Sequence, residues 1–383
     1  MNHEIILSVH DLNVMFSLRG QKLHALRGIS MDLYRGESLA IVGESGSGKS
    51  VLVKNFNGLL DKNGWVDSGH IYYLPKAPDE VIPPVHEDGS MPTEQELLAA
   101  NFTWDLTTFK TDKDWGHVQG KEIAMVMQDP MTSLNPLKTI GWQIEEALHI
   151  HQNLQGEDAY KKAVEILADV GIPEPARRFK QYPHEFSGGM RQRAVIAIAI
   201  ACNPRVLICD EPTTALDVTI QAQILNLLKQ LKEKYQLTTI YITHDLGVVA
   251  NVADRIAVMY AGDIVEIGTC NEVFYSPQHP YTWALLSSLP QLGVKGQALY
   301  SIKGTPPNLF QPIRGDAFAP RNPHALKIDF EHRPPYFEIS PTHKARTWLL
   351  DPRSPKIDPP EHIKNIRNIR NVRQERSVSN GEQ

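Results

Sequence analysis

Cysteine is scarce in this chain of 383 residues, which contains only Cys202, Cys209 and Cys270. Two of them fall within apolar runs, and no pair has the Cys-x-x-Cys spacing of a zinc or redox motif. This usage excludes a disulfide framework and is typical of proteins from a reducing compartment.

Long hydrophobic runs and a basic stripe are also missing. The longest apolar run, residues 194–202, is far shorter than the ~20 residues that a transmembrane helix needs. Residues 1–4 carry no basic region followed by an apolar core, so we expect no signal peptide. The formal net charge is −5 with both signs mixed, so we expect no nucleic-acid partner. A role at a membrane would therefore require separate membrane subunits.

A glycine-rich segment at residues 43–50 fits the phosphate-binding pattern G-x-x-x-x-G-K-[ST]. Its glycines let backbone N–H groups face a phosphate, Lys49 would reach the β- and γ-phosphates, and Ser50 would hold Mg²⁺. A buried-strand pattern precedes the segment, and a helix whose positive end favours an anion follows it. The alternative is a chance match in a turn. The predicted nucleotide-binding residues here are Gly43, Glu44, Ser45, Gly46, Ser47, Gly48, Lys49 and Ser50.

Two acids end a second apolar strand pattern at residues 206–211. If that strand emerges beside the phosphate loop, Asp210 lies near Mg²⁺ and Glu211 can polarise an attacking water. An ordinary strand followed by a solvated acidic turn is the alternative interpretation.

The stretch Phe-Ser-Gly-Gly-Met at residues 186–190 decides between these interpretations. Ser187 is placed to cap a helix, and Gly188 and Gly189 expose backbone N–H groups at its positive end. A capped helix that binds nothing remains possible from these residues alone. The stretch resembles the L-S-G-G-Q signature of the nucleotide-binding subunit of ATP-binding-cassette (ABC) transporters, in the variant found in the oligopeptide- and dipeptide-importer branch.

Four further residues take roles from that resemblance. Gln128 matches the glutamine that contacts Mg²⁺ or the attacking water, and His244 matches the histidine that contacts the γ-phosphate. Asp217 matches the family's D-loop, although it also fits a helix N-cap. Phe16 lies where the family stacks an aromatic ring on adenine, although an N-terminal strand needs core aromatics in any case.

Three regions depart from a minimal cassette. An insertion at about residues 74–115 is proline-rich, with a short helix predicted at 93–100, and is either a tolerated surface loop or a docking element. Residues 276–350 resemble the C-terminal extension of the peptide-importer branch and hold many of the chain's 27 prolines. Residues 351–383 are expected to form a flexible tail, with contact to anionic lipid as an alternative.

Some members of this branch hold an iron–sulfur cluster on four cysteines of the extension. The aligned positions here carry no thiol, so we expect no cluster; they are Asp316, Asn322, Asp329 and Thr347. The extension must then fold by packing, and the aromatic residues expected to supply it are Phe318, Phe330, Tyr336, Phe337 and Trp348.

Together these features predict an α/β P-loop domain of the ABC type over residues 4–275, with a mixed β-sheet core, a helical subdomain at about 129–190 and a loop-rich C-terminal extension. The resemblance implies ATP hydrolysis, with ATP and Mg²⁺ as cofactors, that powers import of oligopeptides at the cytoplasmic face of a bacterial membrane. The implied partners are a different second cassette, two membrane permeases and an extracellular peptide-binding protein. Another cargo (dipeptide, nickel or glutathione) and a soluble ABC ATPase acting on ribosomes or DNA are the alternatives.

Overall fold

The computed structural model describes residues 4–74, 104–214, 216–289, 302–360 and 363. The strands in these ranges are β1 Ile5–Leu18, β2 Gln21–Tyr34, β3 Ser38–Val42, β4 Gly64–Tyr73, β5 Trp104–Asp105, β6 Ile123–Val126, β7 Val206–Asp210, β8 Thr238–Thr243, β9 Arg255–Tyr260, β10 Asp263–Thr269, β11 Phe337–Ser340 and β12 His343–Ala345. The helices are α1 Lys49–Phe56, α2 Asp112–Trp115, α3 Pro130–Ser133, α4 Ile140–Gln152, α5 Gly156–Asp169, α6 Pro175–Arg178, α7 Gly188–Ile200, α8 Val218–Tyr235, α9 Leu246–Val249, α10 Cys270–Tyr275, α11 Pro280–Ser287 and α12 Lys327–Glu331.

The strands form two sheets. The larger has the order β11-β12-β10-β9-β3-β8-β7-β6, in which β9, β3, β8, β7 and β6 are parallel and the strands beyond β9 are antiparallel. The smaller is antiparallel, in the order β2-β1-β4-β5. The central strands β3, β7 and β8 are buried along their whole length, because the parallel sheet is covered on both faces.

Side chains on the two faces of the large sheet contribute to two separate hydrophobic cores. Since side chains alternate along a strand, Leu39 and Ile41 of β3 pack towards the antiparallel sheet, and Ala40 and Val42 pack towards the helices. The helical layer includes α7 and α8 and also buries Leu148 of α4. Helices α3 to α7 lie between β6 and β7 in the chain, the region where the sequence predicts a helical subdomain. Its exact limits remain a prediction.

The predicted insertion is described only in part. Residues 75–103, including the helix predicted at 93–100, lie outside the described residues. The remainder contributes β5, which extends the antiparallel sheet beside β4, and the ring of Trp104 stacks on Tyr73 with centroids 6.0 Å apart. The choice between a surface loop and a docking element therefore remains open.

The C-terminal extension adds strands to the large sheet. The hairpin β11-β12 pairs with β10, so that residues from the extension continue the cassette's own sheet. Phe318 packs in the core, only 1% exposed. The expectation for Phe330 is wrong: it is 55% exposed, and the α12 helix that carries it buries Asp329 instead.

The predicted tail is also corrected at one position. Ile363 is fully buried and joins the helix-side core, with its N–H bonded to the carbonyl of Pro360 at 2.9 Å. An apolar side chain after a proline pair thus returns the chain to the core. Residues 364–383 lie outside the described residues.

Glu266 of β10 fastens the extension through a buried carboxylate. Its oxygens accept hydrogen bonds from the N–H groups of Gln278 (2.8 Å) and His279 (3.0 Å) and contact His343 Nε2 at 2.7 Å. Neither Glu266 nor His343 is more than 1% exposed. One side chain therefore joins β10, the start of α11 and β12.

Replacing Glu266 by Gln is expected to lower the free energy of unfolding by about 1–3 kcal/mol, because the amide nitrogen cannot accept and leaves a buried donor without a partner. Urea denaturation of the full chain measures the change. The control is Glu338→Gln on β11 of the same hairpin, an exposed carboxylate paired with Lys344 at 2.9 Å. The control should change stability by no more than about 0.5 kcal/mol. Equal effects of the two substitutions would contradict the anchoring role of Glu266.

Candidate nucleotide site

The carboxyl ends of neighbouring parallel strands bring the predicted residues to one edge of the large sheet. In the β3–β8 register Val42 pairs with Thr243, and in the β7–β8 register Asp210 pairs with Ile242. The segments that follow β3, β7 and β8 must therefore emerge side by side. These segments are the 43–50 loop, Glu211 and His244.

The 43–50 loop has a backbone that only glycine can follow at two points. A Cβ on Gly43 would lie 2.2 Å from the carbonyl oxygen of Met259, and Gly48 has φ +101° at the start of α1. Gly48 offers no side-chain cap to the first N–H groups of α1. A helix end in this state is a ready site for a phosphate.

Lys49 lies under the loop and is only 6% exposed. Its Nζ donates hydrogen bonds to the carbonyl oxygens of Gly43 at 2.8 Å and Glu44 at 2.9 Å. Burial lowers the pKa of Lys49, while the carboxylates of Glu211, Asp210 and Glu44 act in the opposite direction. Lys49 thus bonds the backbone of the loop's first two residues and lies close to the carboxylates of Asp210 and Glu211.

Oxygen atoms suited to Mg²⁺ lie next to Lys49. The hydroxyl of Ser50 donates to Asp210 Oδ1 at 3.3 Å, and Asp210 is 8% exposed. Burial raises the pKa of Asp210, and the Ser50 hydrogen bond opposes the rise. A hydroxyl and a carboxylate are ligands that Mg²⁺ uses when it also binds substrate phosphates, so these residues fit the ion.

Glu211 is the centre of a hydrogen-bond network. Its Oε2 accepts from Gln128 Nε2 at 2.9 Å and from Thr214 Oγ1 at 2.8 Å, and its Oε1 lies 3.2 Å from His244 Nδ1. Burial by itself raises the pKa of Glu211, but the hydrogen bonds from Thr214 and His244, with the charge of Lys49, outweigh it and leave the pKa lowered. The group is therefore an oriented, ionised carboxylate at neutral pH.

The Glu211 backbone is unusual as well. It has φ +46°, in the left-handed region, and its N–H bonds the carbonyl of Ile242 on β8 at 2.9 Å. Left-handed backbone at a non-glycine residue is a cost that surrounding contacts must offset, and such residues concentrate at functional sites.

The signature segment 186–190 caps α7 as the sequence predicts. Ser187 Oγ accepts the N–H of Met190 at 3.4 Å, and Ser187 and Gly188 are exposed. A Cβ on Gly189 would lie 3.0 Å from the side chain of Ile220 on α8, so a larger residue would require that side chain to shift. The role of this segment towards a nucleotide remains a prediction.

The two weaker assignments have structural roles. Asp217 Oδ1 caps α8 by accepting the N–H of Ile220 at 3.0 Å. Phe16 is 8% exposed in the core beside the antiparallel sheet, opposite Leu23 and Gly64. Neither role excludes contact with a nucleotide, which remains a prediction for both residues.

The four positions aligned with cluster cysteines are all buried and already bonded. They are Asp316, Asn322, Asp329 and Thr347. In each case a side-chain oxygen accepts a backbone N–H of its own loop; the donors are Phe318, His324, Leu326 and Leu349. An iron–sulfur cluster needs thiolate ligands. This set of committed oxygen atoms does not fit one.

Sequence patterns did not reveal three residues at the site. Thr214 donates a hydrogen bond to Glu211 from three positions further along the chain, and this short spacing is the one signal that could have revealed it. Tyr281 and Arg321 both contact Glu44 from the C-terminal extension, across 237 and 277 positions. No local pattern signals such distant contacts.

Two family models match the chain. Residues 26–214 match the model described as ABC transporter, and residues 265–328 match the C-terminal region of oligopeptide/dipeptide transporters. The chain belongs to the ABC transporter family. The second match places it in the oligopeptide/dipeptide branch.

Curated relatives match along nearly the whole chain. The oligopeptide transport ATP-binding protein AmiE of Streptococcus pneumoniae serotype 4 is 53% identical, over 94% of this chain and 94% of its own. OppD of Bacillus subtilis, with the same description, is 51% identical over 94% and 93%. The dipeptide transport ATP-binding protein DppD of Lactococcus lactis subsp. cremoris is 49% identical over 95% and 96%.

Solved structures confirm the predicted fold class. A dimeric ATP-binding cassette in a post-hydrolysis state, bound to ADP and Pi, matches with a TM-score of 0.55 and 25% identity, over 69% of this chain and 98% of that one. The family and the fold together make the chain an ABC-type ATPase of a transporter. No helix in the described ranges is both long and apolar enough to cross a membrane.

Proposed function

We propose that the chain hydrolyses ATP to power the import of oligopeptides, as the names of its AmiE and OppD relatives indicate for those proteins. The observation that carries the proposal is the convergence of Lys49, Ser50, Asp210 and Glu211 at one sheet edge, with Gln128 and His244 bonded to Glu211. A dipeptide, nickel or glutathione cargo remains the alternative, since cargo is selected by other subunits.

Each residue of this edge has a distinct task towards ATP. The N–H groups of residues 43–50 and the Lys49 amine bind the phosphates, and Ser50, Asp210 and Gln128 would hold Mg²⁺. The ion neutralises charge on the phosphates when it is bound. Glu211 accepts a proton from the attacking water, and His244 orients Glu211 and stabilises the γ-phosphate. Phe16 supports the adenine.

The exposed start of α7 supports a composite site. Ser187, Gly188 and Gly189 present the positive end of a 13-residue helix, which favours a γ-phosphate held by a second cassette. Asp217 caps the start of α8, whose Ile220 lies 3.0 Å from the position of a Cβ on Gly189. We therefore place each ATP between the 43–50 loop of one cassette and the signature of another, with a different polypeptide as the second cassette.

The helical layer beside Gln128 exposes large apolar side chains. Met127 is 43%, Met131 59%, Leu137 82% and Ile150 63% exposed. All four fall within residues 127–150, the stretch that begins beside Gln128, and large apolar side chains of this kind are suited to being covered by a protein partner. They support the proposal that this part of the chain contacts membrane subunits. We propose that these are two permeases, that the chain lies at the cytoplasmic face of the membrane, and that an extracellular peptide-binding protein delivers the cargo.

A pull-down of the tagged chain in mild detergent, with mass spectrometry and a peptide-uptake assay, tests this proposal. We expect two permeases and a second, different cassette to co-purify with both wild type and Glu211→Gln, and uptake to be lost only in the variant. Recovery of ribosomal or DNA-repair proteins without a permease would contradict the transport role. Recovery of permeases with uptake of nickel or glutathione alone would contradict the cargo.

A further inference from the structure

Glu44, the second residue of the phosphate loop, is held at three points. Its side-chain oxygens accept from Arg321 at 2.6 and 3.0 Å, and its N–H donates to the hydroxyl of Tyr281 at 2.8 Å. Its carbonyl accepts from Lys49 Nζ at 2.9 Å. Two of these contacts come from the C-terminal extension and the third from the lysine proposed to bind phosphate.

Arg321 is buried where it meets Glu44. Its side chain is 4% exposed, its Nε donates to the carbonyl of Lys303 at 3.0 Å, and one guanidinium nitrogen lies 3.2 Å from the Tyr260 hydroxyl. The guanidinium also lies over the rings of Tyr260 and Phe318, 5.7 and 5.9 Å from their centroids. The Glu44 side chain is 28% exposed, so the arginine rather than the whole pair is shielded from water. Two parallel hydrogen bonds between a guanidinium and a carboxylate are strong and directional.

The local fold fixes the position of Arg321. Asp316 accepts the N–H of Phe318 at 2.9 Å, which starts the short 3₁₀ turn Ala319–Arg321. The Phe318 ring is 1% exposed and packs on Tyr260 and Tyr281, with both centroid distances 5.3 Å. The extension therefore presents Arg321 and Tyr281 to the loop from one packed aromatic cluster.

We propose that Arg321 is a positioning residue for ATP binding, through which the C-terminal extension sets the conformation of the phosphate loop. By fixing Glu44, it fixes the peptide whose carbonyl holds Lys49 and whose neighbours present N–H groups to the phosphates. The inference rests on the proposed role of residues 43–50 as the phosphate site. It makes ATP affinity depend on a residue that lies 277 positions away in the chain.

The test is the Kd of a fluorescent ATP analogue for the full chain with Mg²⁺ present. Arg321→Gln removes the positive charge and the pair of parallel hydrogen bonds to Glu44, and we expect the Kd to rise about tenfold. The matched control is Arg333→Gln. Arg333 is also an arginine of the extension that pairs with a carboxylate of the cassette, Asp263, at 2.8 Å, but it does not contact the loop. The control should leave the Kd within about twofold of wild type.

Two further variants separate positioning from general loss of structure. Arg321→Lys keeps one charge-assisted bond but not the fork, so its Kd should fall between those of wild type and Arg321→Gln. Glu44→Gln should weaken binding as Arg321→Gln does, and the double variant should be no weaker than either single one. Steady-state ATPase should show a raised KM with kcat nearly unchanged.

The inference is overturned if Arg321→Gln binds the analogue as wild type does, if Arg333→Gln weakens binding equally, or if the two losses at Glu44 and Arg321 add. Thermal unfolding of each variant shows whether it is folded, and Arg321→Lys decides the matter should Arg321→Gln not fold. Failure of the wild-type chain to bind the analogue would instead overturn the proposed function, and this inference with it.

Discussion

Glu211→Gln is expected to lower the rate of ATP hydrolysis by about 10²–10⁴-fold while leaving ATP affinity within about threefold of wild type. The carboxylate is held by Thr214, Gln128 and His244, and its lowered pKa keeps it ionised at neutral pH. The amide has the same size and can still accept from Thr214, so the network persists. What is lost is the negative oxygen that accepts the proton of the attacking water.

A matched control comes from the opposite end of the sheet. Glu122 precedes β6 and bonds Tyr73 and Arg205, and its side chain is 15% exposed, close to the 18% of Glu211. Glu122→Gln should leave kcat within about twofold of wild type, because the carboxylate lies away from the nucleotide edge. Turnover should be measured at saturating ATP and Mg²⁺, with binding measured separately. If Glu211→Gln keeps more than a tenth of wild-type turnover, another group is the base.

That the candidate site residues lie together at one edge of the large sheet was predictable from the sequence. Parallel strands end at one side of a sheet, so three apolar runs that each end in a polar motif had to place Lys49, Glu211 and His244 near one another. The contacts themselves required coordinates. The sequence does not show that Gln128 and His244 bond opposite oxygens of Glu211.

The sequence-based predictions of burial were wrong at two apolar residues, Phe330 and Ile363. Phe330 has the composition of a core residue, yet Asp329 beside it takes the buried side of α12 because its carboxylate caps that helix. Ile363 lies in a polar, proline-rich tail and still reaches the core. In both cases the tertiary arrangement, which a short window of sequence does not contain, decides burial.

The link between Glu44 and the extension shows the same limit at longer range. Glu44 is the variable second position of the phosphate-loop pattern, and Arg321 follows a proline in a segment without periodicity. Each looks like a surface charge. Only the docking of the β11-β12 hairpin onto β10 and of α11 onto β9 brings Arg321 and Tyr281 to the loop.

Lys49→Ala is expected to weaken ATP binding by at least about 100-fold, with hydrolysis lost as a consequence. The amine is buried, so its charge acts on the phosphates with little screening. Its removal also deprives the carbonyls of Gly43 and Glu44 of their donor, which frees the loop that must meet the phosphates. Both effects act in the same direction, and equilibrium binding of labelled ATP measures their sum.

The matched control is Lys54→Ala in the last turn of the same helix, whose amine lies 3.6 Å from Asp61 near the surface. We expect ATP affinity within about twofold of wild type for this control. Comparing the two variants separates a local charge effect from a general effect of shortening a lysine on α1. If Lys49→Ala binds ATP as tightly as Lys54→Ala, the prediction for Lys49 is wrong, and the backbone N–H groups of the loop are sufficient to bind the phosphates. The extension's hold on Glu44 would then matter more for ATP affinity than the lysine it supports.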